Sequence, residues 1–161
     1  MTGERLELIK QKLSSFSVEY QDVNGTACIV TTTDKILEIC TLLKDDTELG
    51  YDMLLDEVGM DNFTKSARFE VICNLYSTIF KDRLFLKVII PDPKNPVTPS
   101  LAHIWKSADW YEREVYDMFG IIYENHPDLR RVYMPDEFEY FPLRKDFPTM
   151  GIPGSISLPN K

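Results

Sequence analysis

Histidine is almost absent from this chain: His103 and His126 are the only two among 161 residues. Cysteine is scarce as well. Cys28, Cys40 and Cys73 lie far apart with no CxxC spacing, so a zinc or iron–sulfur site built by this chain alone is not expected, and three buried thiols are. Positive charge is in deficit. Lys and Arg number 18 against 26 Asp and Glu, for a net charge of −8 and a pI near 4.8. That balance disfavours nucleic acid or anionic lipid as a non-specific partner. No apolar run approaches the roughly 20 residues of a membrane span. The opening MTGERLELIKQKL is charged and helical in pattern, so no signal peptide is expected there. Phosphate-cradling GxGxxG and GxxxxGK(S/T) loops are missing, and GIPGS reads as a turn. There is no GxSxG elbow, and nothing flags a Cys–His dyad.

What is present is a core. Hydrophobic residues make up 43% and aromatics 12%, which excludes a wholly disordered chain, and 161 residues suffice for one domain. Leu6, Ile9, Leu13 and Phe16 recur at helical spacing, with Thr2 as a cap. SVEYQDV and TACIVTTT flank Asn24-Gly25, a strong hairpin signal. Asp34 is placed to cap a second helix through Ile36, Leu37, Ile39, Cys40 and Leu43. YDMLLDEVGMD reads as a strand. ARFEVICNLYST and RLFLKVIIP read as an antiparallel pair joined by FKDR. The order α-β-β-α-β-β-β predicts an α+β fold, with helices packed on a mostly antiparallel sheet.

After Pro91 the composition shifts. Pro91, Pro93, Pro96 and Pro99 argue against regular structure. Ser100 is a good N-cap for a helix to about Lys106, Asp109 for a second to Met118, and Gly120 for its end. Beyond it lies HPDLRRVYMPDEFEYFPLRKDFP, residues 126–148, with no helical or strand period. The expected organisation is an α+β core domain over 1–98, a signature helix region over 99–120 and an extended partner-binding arm over 121–161.

Two readings of the chemistry compete here. Glu112, Glu114 and Asp117 in WYEREVYDMFG are possible metal ligands, but no histidine shares their helical face. A solvated or salt-bridged face is the plainer reading. The same helix carries Trp110, Tyr111, Val115, Met118 and Phe119, and Arg113 sits between Glu112 and Glu114. The arm repeats this mixture. Arg130-Arg131 and Arg144-Lys145 stand beside Asp128, Asp136, Glu137, Glu139 and Asp146, with Tyr133, Phe138, Tyr140, Phe141 and Phe147 among them. Prolines keep such a segment extended, which lowers the entropy lost on docking. Aromatic and arginine side chains are typical interface anchors. The physical reading is an arm that wraps a partner.

These residues also resemble a known family. YEREVYDMFGIIYENHPDLRRVYMPDE followed by FPLRKDFP is similar to the signature of the C subunit of respiratory NADH:quinone oxidoreductase, complex I, the 30 kDa subunit family that includes the cyanobacterial and chloroplast J subunit. The likeness is dense over residues 110–148. Upstream, only length and pattern agree. Asn125 stands where the family mostly has Gly, and Glu139-Tyr140-Phe141 where a Gly–aromatic pair is common, which predicts a locally different turn.

The resemblance implies a non-catalytic assembly subunit of the hydrophilic arm that binds no cofactor of its own. The complex would use FMN, iron–sulfur clusters, NADH and a quinone. The implied partner is the quinone-site (D) subunit, with the B and I subunits nearby, and the implied place is the cytoplasmic face of the cell membrane, as a peripheral subunit. The expected interface comprises Glu112, Arg113, Glu114, Tyr116, Asp117, Phe119, Arg130, Arg131, Arg144, Lys145, Asp146 and Phe147. Equivalent subunits of membrane-bound hydrogenase, formate hydrogenlyase or F420H2 dehydrogenase remain as alternatives. A free-standing metal-dependent hydrolase using Glu114, Asp117 and His126, or an adaptor with another partner, is the reading from a different class.

Overall fold

The computed structural model describes residues 3–63 and 65–152. The expected cap Thr2 and most of GIPGS lie outside them. Helix α1 (Gly3–Lys12) leads into the hairpin β1 (Glu19–Val23) and β2 (Thr26–Thr32). Asn24 and Gly25 form its two-residue turn with φ of 53° and 82°, the left-handed geometry that this dipeptide tolerates. Helix α2 (Ile36–Asp45) follows, then β3 (Met53–Asp61), β4 (Phe69–Ser77) and β5 (Asp82–Ile90). The sheet order is β1-β2-β5-β4-β3, antiparallel throughout except for the parallel β2–β5 pair. Period-two burial in β4 and β5 puts Phe69, Val71, Cys73, Leu75, Leu84, Leu86, Val88 and Ile90 on one face. Ile9 and Leu13 from the α1 segment and Ile36, Ile39, Cys40 and Leu43 from α2 pack there. The α+β architecture is the one expected from the pattern.

Three local expectations are corrected. Asp34 does not cap α2: the N-cap is Lys35, and the Asp34 carboxylate instead accepts from the Thr32 hydroxyl. The proline-rich stretch contains a short strand, β6 (Val97–Pro99), paired in parallel with β7 (Ile122–Glu124). Its prolines are tolerated because it is an edge, and the Pro96 carbonyl accepts from Ile122 N–H at 2.8 Å. No helix spans 100–106. The chain makes one isolated turn there, with Ile104 and Trp105 N–H both bonded to the Leu101 carbonyl. The Ser100 hydroxyl and Leu101 N–H both donate to Glu112, and the Trp105 indole donates to the Tyr51 carbonyl at 3.2 Å, so tertiary bonds replace helical ones.

Helix α3 (Ala108–Phe119) has Ser107 rather than Asp109 at its N-cap, and the Ser107 hydroxyl donates to the Leu54 carbonyl at 3.0 Å. Gly120 ends it in the left-handed conformation, as expected. The helix lies on edge strand β3. Gly59 makes this possible: a Cβ there would sit 2.7 Å from Phe119 Cδ2 and 2.9 Å from Val115 Cγ1. Gly59→Ala is therefore expected to destabilise the chain by about 1–3 kcal/mol, the usual range for overpacking a filled contact. A denaturant titration against wild type checks this.

Candidate partner-binding site

Asp117 is the centre of the signature region. Its side chain is fully buried, yet it is one of the best-satisfied groups in the chain. Oδ2 accepts from the backbone N–H groups of Val132, Tyr133 and Met134 at 3.0, 2.7 and 2.9 Å. Oδ1 accepts from Arg131 Nη1 at 2.7 Å. Burial alone pushes this carboxyl upward, but the three N–H bonds and the guanidinium outweigh it and hold it below the ordinary carboxylate range. One helical aspartate thus fixes the arm where it would otherwise have no regular hydrogen bonds.

A second anchor lies further along. Arg68 holds Asp61 with Nε and Nη2 at 2.8 and 2.6 Å, a bidentate pair, and reaches Asp146 of the arm at 2.9 Å. Lys145 N–H donates to Asp61 at 2.8 Å. Between these anchors Arg144 lies over Phe69 and Phe141, 5.1 and 4.5 Å from the ring centroids, and its Nε donates to the Phe119 carbonyl at 2.5 Å. Phe138, Tyr140 and Phe147 form an edge-on and tilted aromatic cluster with centroids 5.6–6.4 Å apart. The arm expected to be held by a partner is held, over its described length, largely by its own domain.

The interior of α3 faces another polar cluster. Glu112 is wholly buried and accepts from the Ser100 hydroxyl at 2.6 Å and Leu101 N–H at 2.5 Å. On β3, Glu57 accepts from the Tyr123 hydroxyl at 2.5 Å. His126 packs beside Glu112, with its Nδ1 accepting from Asp128 N–H at 2.9 Å and its Nε2 3.1 Å from the Asp109 carbonyl oxygen.

The predicted site residues therefore divide. Glu112, Arg113 and Asp117 are buried, Arg113 donating to the Arg130 carbonyl at 3.2 Å and stacking on Trp110. Tyr116, Phe119, Arg131, Arg144 and Phe147 are half-buried, while Glu114, Arg130, Lys145 and Asp146 are exposed. Trp110, Tyr133, Tyr140 and Leu143 expose large apolar groups beside them. Asn125 has φ of 62°, in the left-handed region that asparagine tolerates better than most side chains. The hydrolase reading gains nothing. Asp117 is filled by N–H donors, Glu114 points outward near the Tyr133 hydroxyl, and among the described residues no three His, Cys, Asp or Glu side chains are grouped to hold a metal. Sequence reasoning missed Glu57, Gly59, Asp61 and Arg68. Strand alternation held a signal for Asp61, because period two places it on the same face as buried Gly59 and Glu57.

Comparison with known proteins gives the family and the fold. A family model described as respiratory-chain NADH dehydrogenase, 30 Kd subunit, matches residues 29–152. The NADH-quinone oxidoreductase C subunit 2 of Rhizobium meliloti (strain 1021) is 39% identical over 154 residues, covering 94% of this chain and 84% of that protein. The NADH-quinone oxidoreductase C subunit of Geotalea uraniireducens (strain Rf4) is 37% identical over 143 residues, covering 89% and 85%. Among solved structures, the trypsin-resistant fragment (1-134) of Nqo5 superposes with a TM-score of 0.69 at 32% identity, over 78% of this chain and 99% of that one. A chain of the membrane-bound sulfane sulfur reductase, an archaeal respiratory membrane complex, shares the fold with a TM-score of 0.76 at 24% identity, over 91% and 87%.

Proposed function

Because this chain belongs to the family of the 30 kDa subunit of respiratory-chain NADH dehydrogenase, we propose that it works as the C subunit of an NADH-quinone oxidoreductase, a non-catalytic assembly part of a hetero-oligomeric respiratory complex. The activity, electron transfer from NADH to quinone, belongs to the whole complex. This chain binds none of the FMN, iron–sulfur clusters, NADH or quinone that the complex uses. It is a peripheral subunit at the cytoplasmic face of the membrane. No helix among the described residues is long and apolar enough to cross a bilayer.

The observation that carries the reading is the arm. Its backbone is pinned by Asp117 and Asp61 from below, so Arg130, Tyr133, Tyr140 and Leu143 are presented outward from a fixed frame. Preorganised aromatic and arginine anchors bind with less ordering cost than a loose segment. We place the quinone-site (D) subunit against this surface, with the B and I subunits nearby. Within the expected interface set, the buried members shape the surface and the exposed ones touch the partner.

The test must respect that division. Arg144 supports the chain's own packing, so its loss would confuse folding with binding. Among the described residues, Arg130 bonds through its side chain only to exposed Asp128, and Tyr133 is 60% exposed. Arg130→Ala combined with Tyr133→Ala is expected to lower capture of the quinone-site subunit at least about tenfold, while shifting the stability of the chain alone by no more than about 0.5 kcal/mol. Pull-down with mass spectrometry, beside a denaturation curve, measures both. Normal assembly with lost electron transfer would refute the scaffold role.

A further inference from the structure

We infer that Glu57 and Glu112 form a latch of two buried, protonated carboxyls between β3 and α3 that fastens the β6–β7 sheet to them and loosens when the protons are lost. The two side chains come from neighbouring elements and both lie inside, at 5% and 0% exposure. Glu57 binds β7 through the Tyr123 hydroxyl and touches Cys73 Sγ of β4 at 3.7 Å. Glu112 binds the chain just after β6 through Ser100 and Leu101. These bonds tie the root of the arm to the main sheet.

None of these partners is a cation. Among the described residues, no Lys or Arg lies within ion-pair distance of either carboxyl. The other titratable groups around them are acids: Asp56 on β3, Cys40 on α2, Cys73 on β4, Asp109 on α3 and Tyr123 on β7. The exception is His126, whose Nε2 is 3.8 Å from Glu112 but already lies 3.1 Å from the Asp109 carbonyl oxygen. Two carboxylates in this compartment would be buried like charges with no cation beside them, and the hydrogen bonds donated to them, which favour the charged form, offset burial and repulsion only in part. Burial accordingly pushes Glu57 up to about 7, and burial followed by repulsion from Glu57 pushes Glu112 up to about 8.

Both values stand above the unfolded carboxyl's, about 4.3. The folded chain thus binds protons that the unfolded chain has released. The stability from these protons is complete below about pH 4.3 and is lost as pH rises through 7 to 8. For each extra proton held, the folding constant falls about tenfold per pH unit from about pH 4.3 up to the folded value, and levels off above it.

Denaturant unfolding of the full chain from about pH 5 to pH 9 tests the latch, with Glu57→Gln and Glu112→Gln as variants that keep the shape of the protonated carboxyl. Flatter pH profiles, with a folding constant at least about tenfold above wild type at pH 8, are expected. The protection factors of the Leu101 and Tyr123 amides, taken relative to the base-catalysed intrinsic rate, should fall at alkaline pH in wild type only. Profiles parallel to wild type would overturn the inference. If neither variant folds, carbon-13 NMR of the wild-type glutamate carboxyls decides. A resonance still in the protonated position at about pH 6 supports the latch, and uniform titration near the ordinary value refutes it.

Discussion

Replacing Asp117 by alanine should destabilise this chain by about 3–5 kcal/mol, the range for removing one partner of a buried ion pair. The substitution does two things. It leaves Arg131, whose side chain is only 10% exposed, without its carboxylate. It also takes away the acceptor shared by the N–H groups of Val132, Tyr133 and Met134. Hydrogen exchange should localise the damage: those three amides should lose protection, while β4 and β5 keep theirs until global unfolding. Asp117→Asn keeps an oxygen in place but no charge, so its loss should be smaller. The pH dependence has a definite sign. The folded carboxyl sits below its unfolded value, so its contribution is present above about pH 4 and lost on acidification through the folded value. Wild type should therefore lose stability in acid that Asp117→Ala has already lost, and the two curves should converge there. Curves that stay parallel would mean Asp117 is not the charge that holds the arm.

Gly120→Ala should cost about 2–5 kcal/mol, from two separable causes. The residue takes φ of 70°, where an L side chain adds roughly 1–2 kcal/mol. A Cβ would also lie 2.5 Å from Arg144 Nη2 and 2.6 Å from Phe141 Cε2, which adds about 1–3 kcal/mol of overpacking. Gly151 separates the two. It has φ of 71° and, among the described residues, nothing within 4 Å of an added Cβ, so Gly151→Ala should show the backbone part alone. Equal losses at both sites would mean that the close approach of Arg144 and Phe141 contributes nothing. A full effect at Gly120 should weaken assembly too, because Arg144 could no longer reach the Phe119 carbonyl and seat the arm.

The order of elements as far as β5 was legible because it rests on local periodicity, whereas β6, β7 and the isolated turn after Leu101 rest on tertiary pairing. Alternation in ARFEVICNLYST and RLFLKVIIP, the Asn24-Gly25 turn and the glycine after α3 each act within a few residues, and each appears in the fold. The family was legible as well, since E-R-E-x-x-D-M-F-G, H-P-D-L-R-R and P-L-R-K-D-F-P follow one another in a single chain. The direction of the carboxylates was not. Glu112, Glu114 and Asp117 look alike in the string, yet two are buried and one faces water. Helical geometry assigns faces, but it does not say which face meets β3. Gly59, 53 residues before Glu112, admits Val115 and Phe119 because it lacks a side chain, which turns Glu112 on the same helical face inward, while Asp117 lies on another face and is buried by the arm. Local patterning determined the elements as far as β5, and the family. Long-range packing decided which charged residues hold the arm and which stay exposed, because burial depends on contacts between segments far apart in the chain.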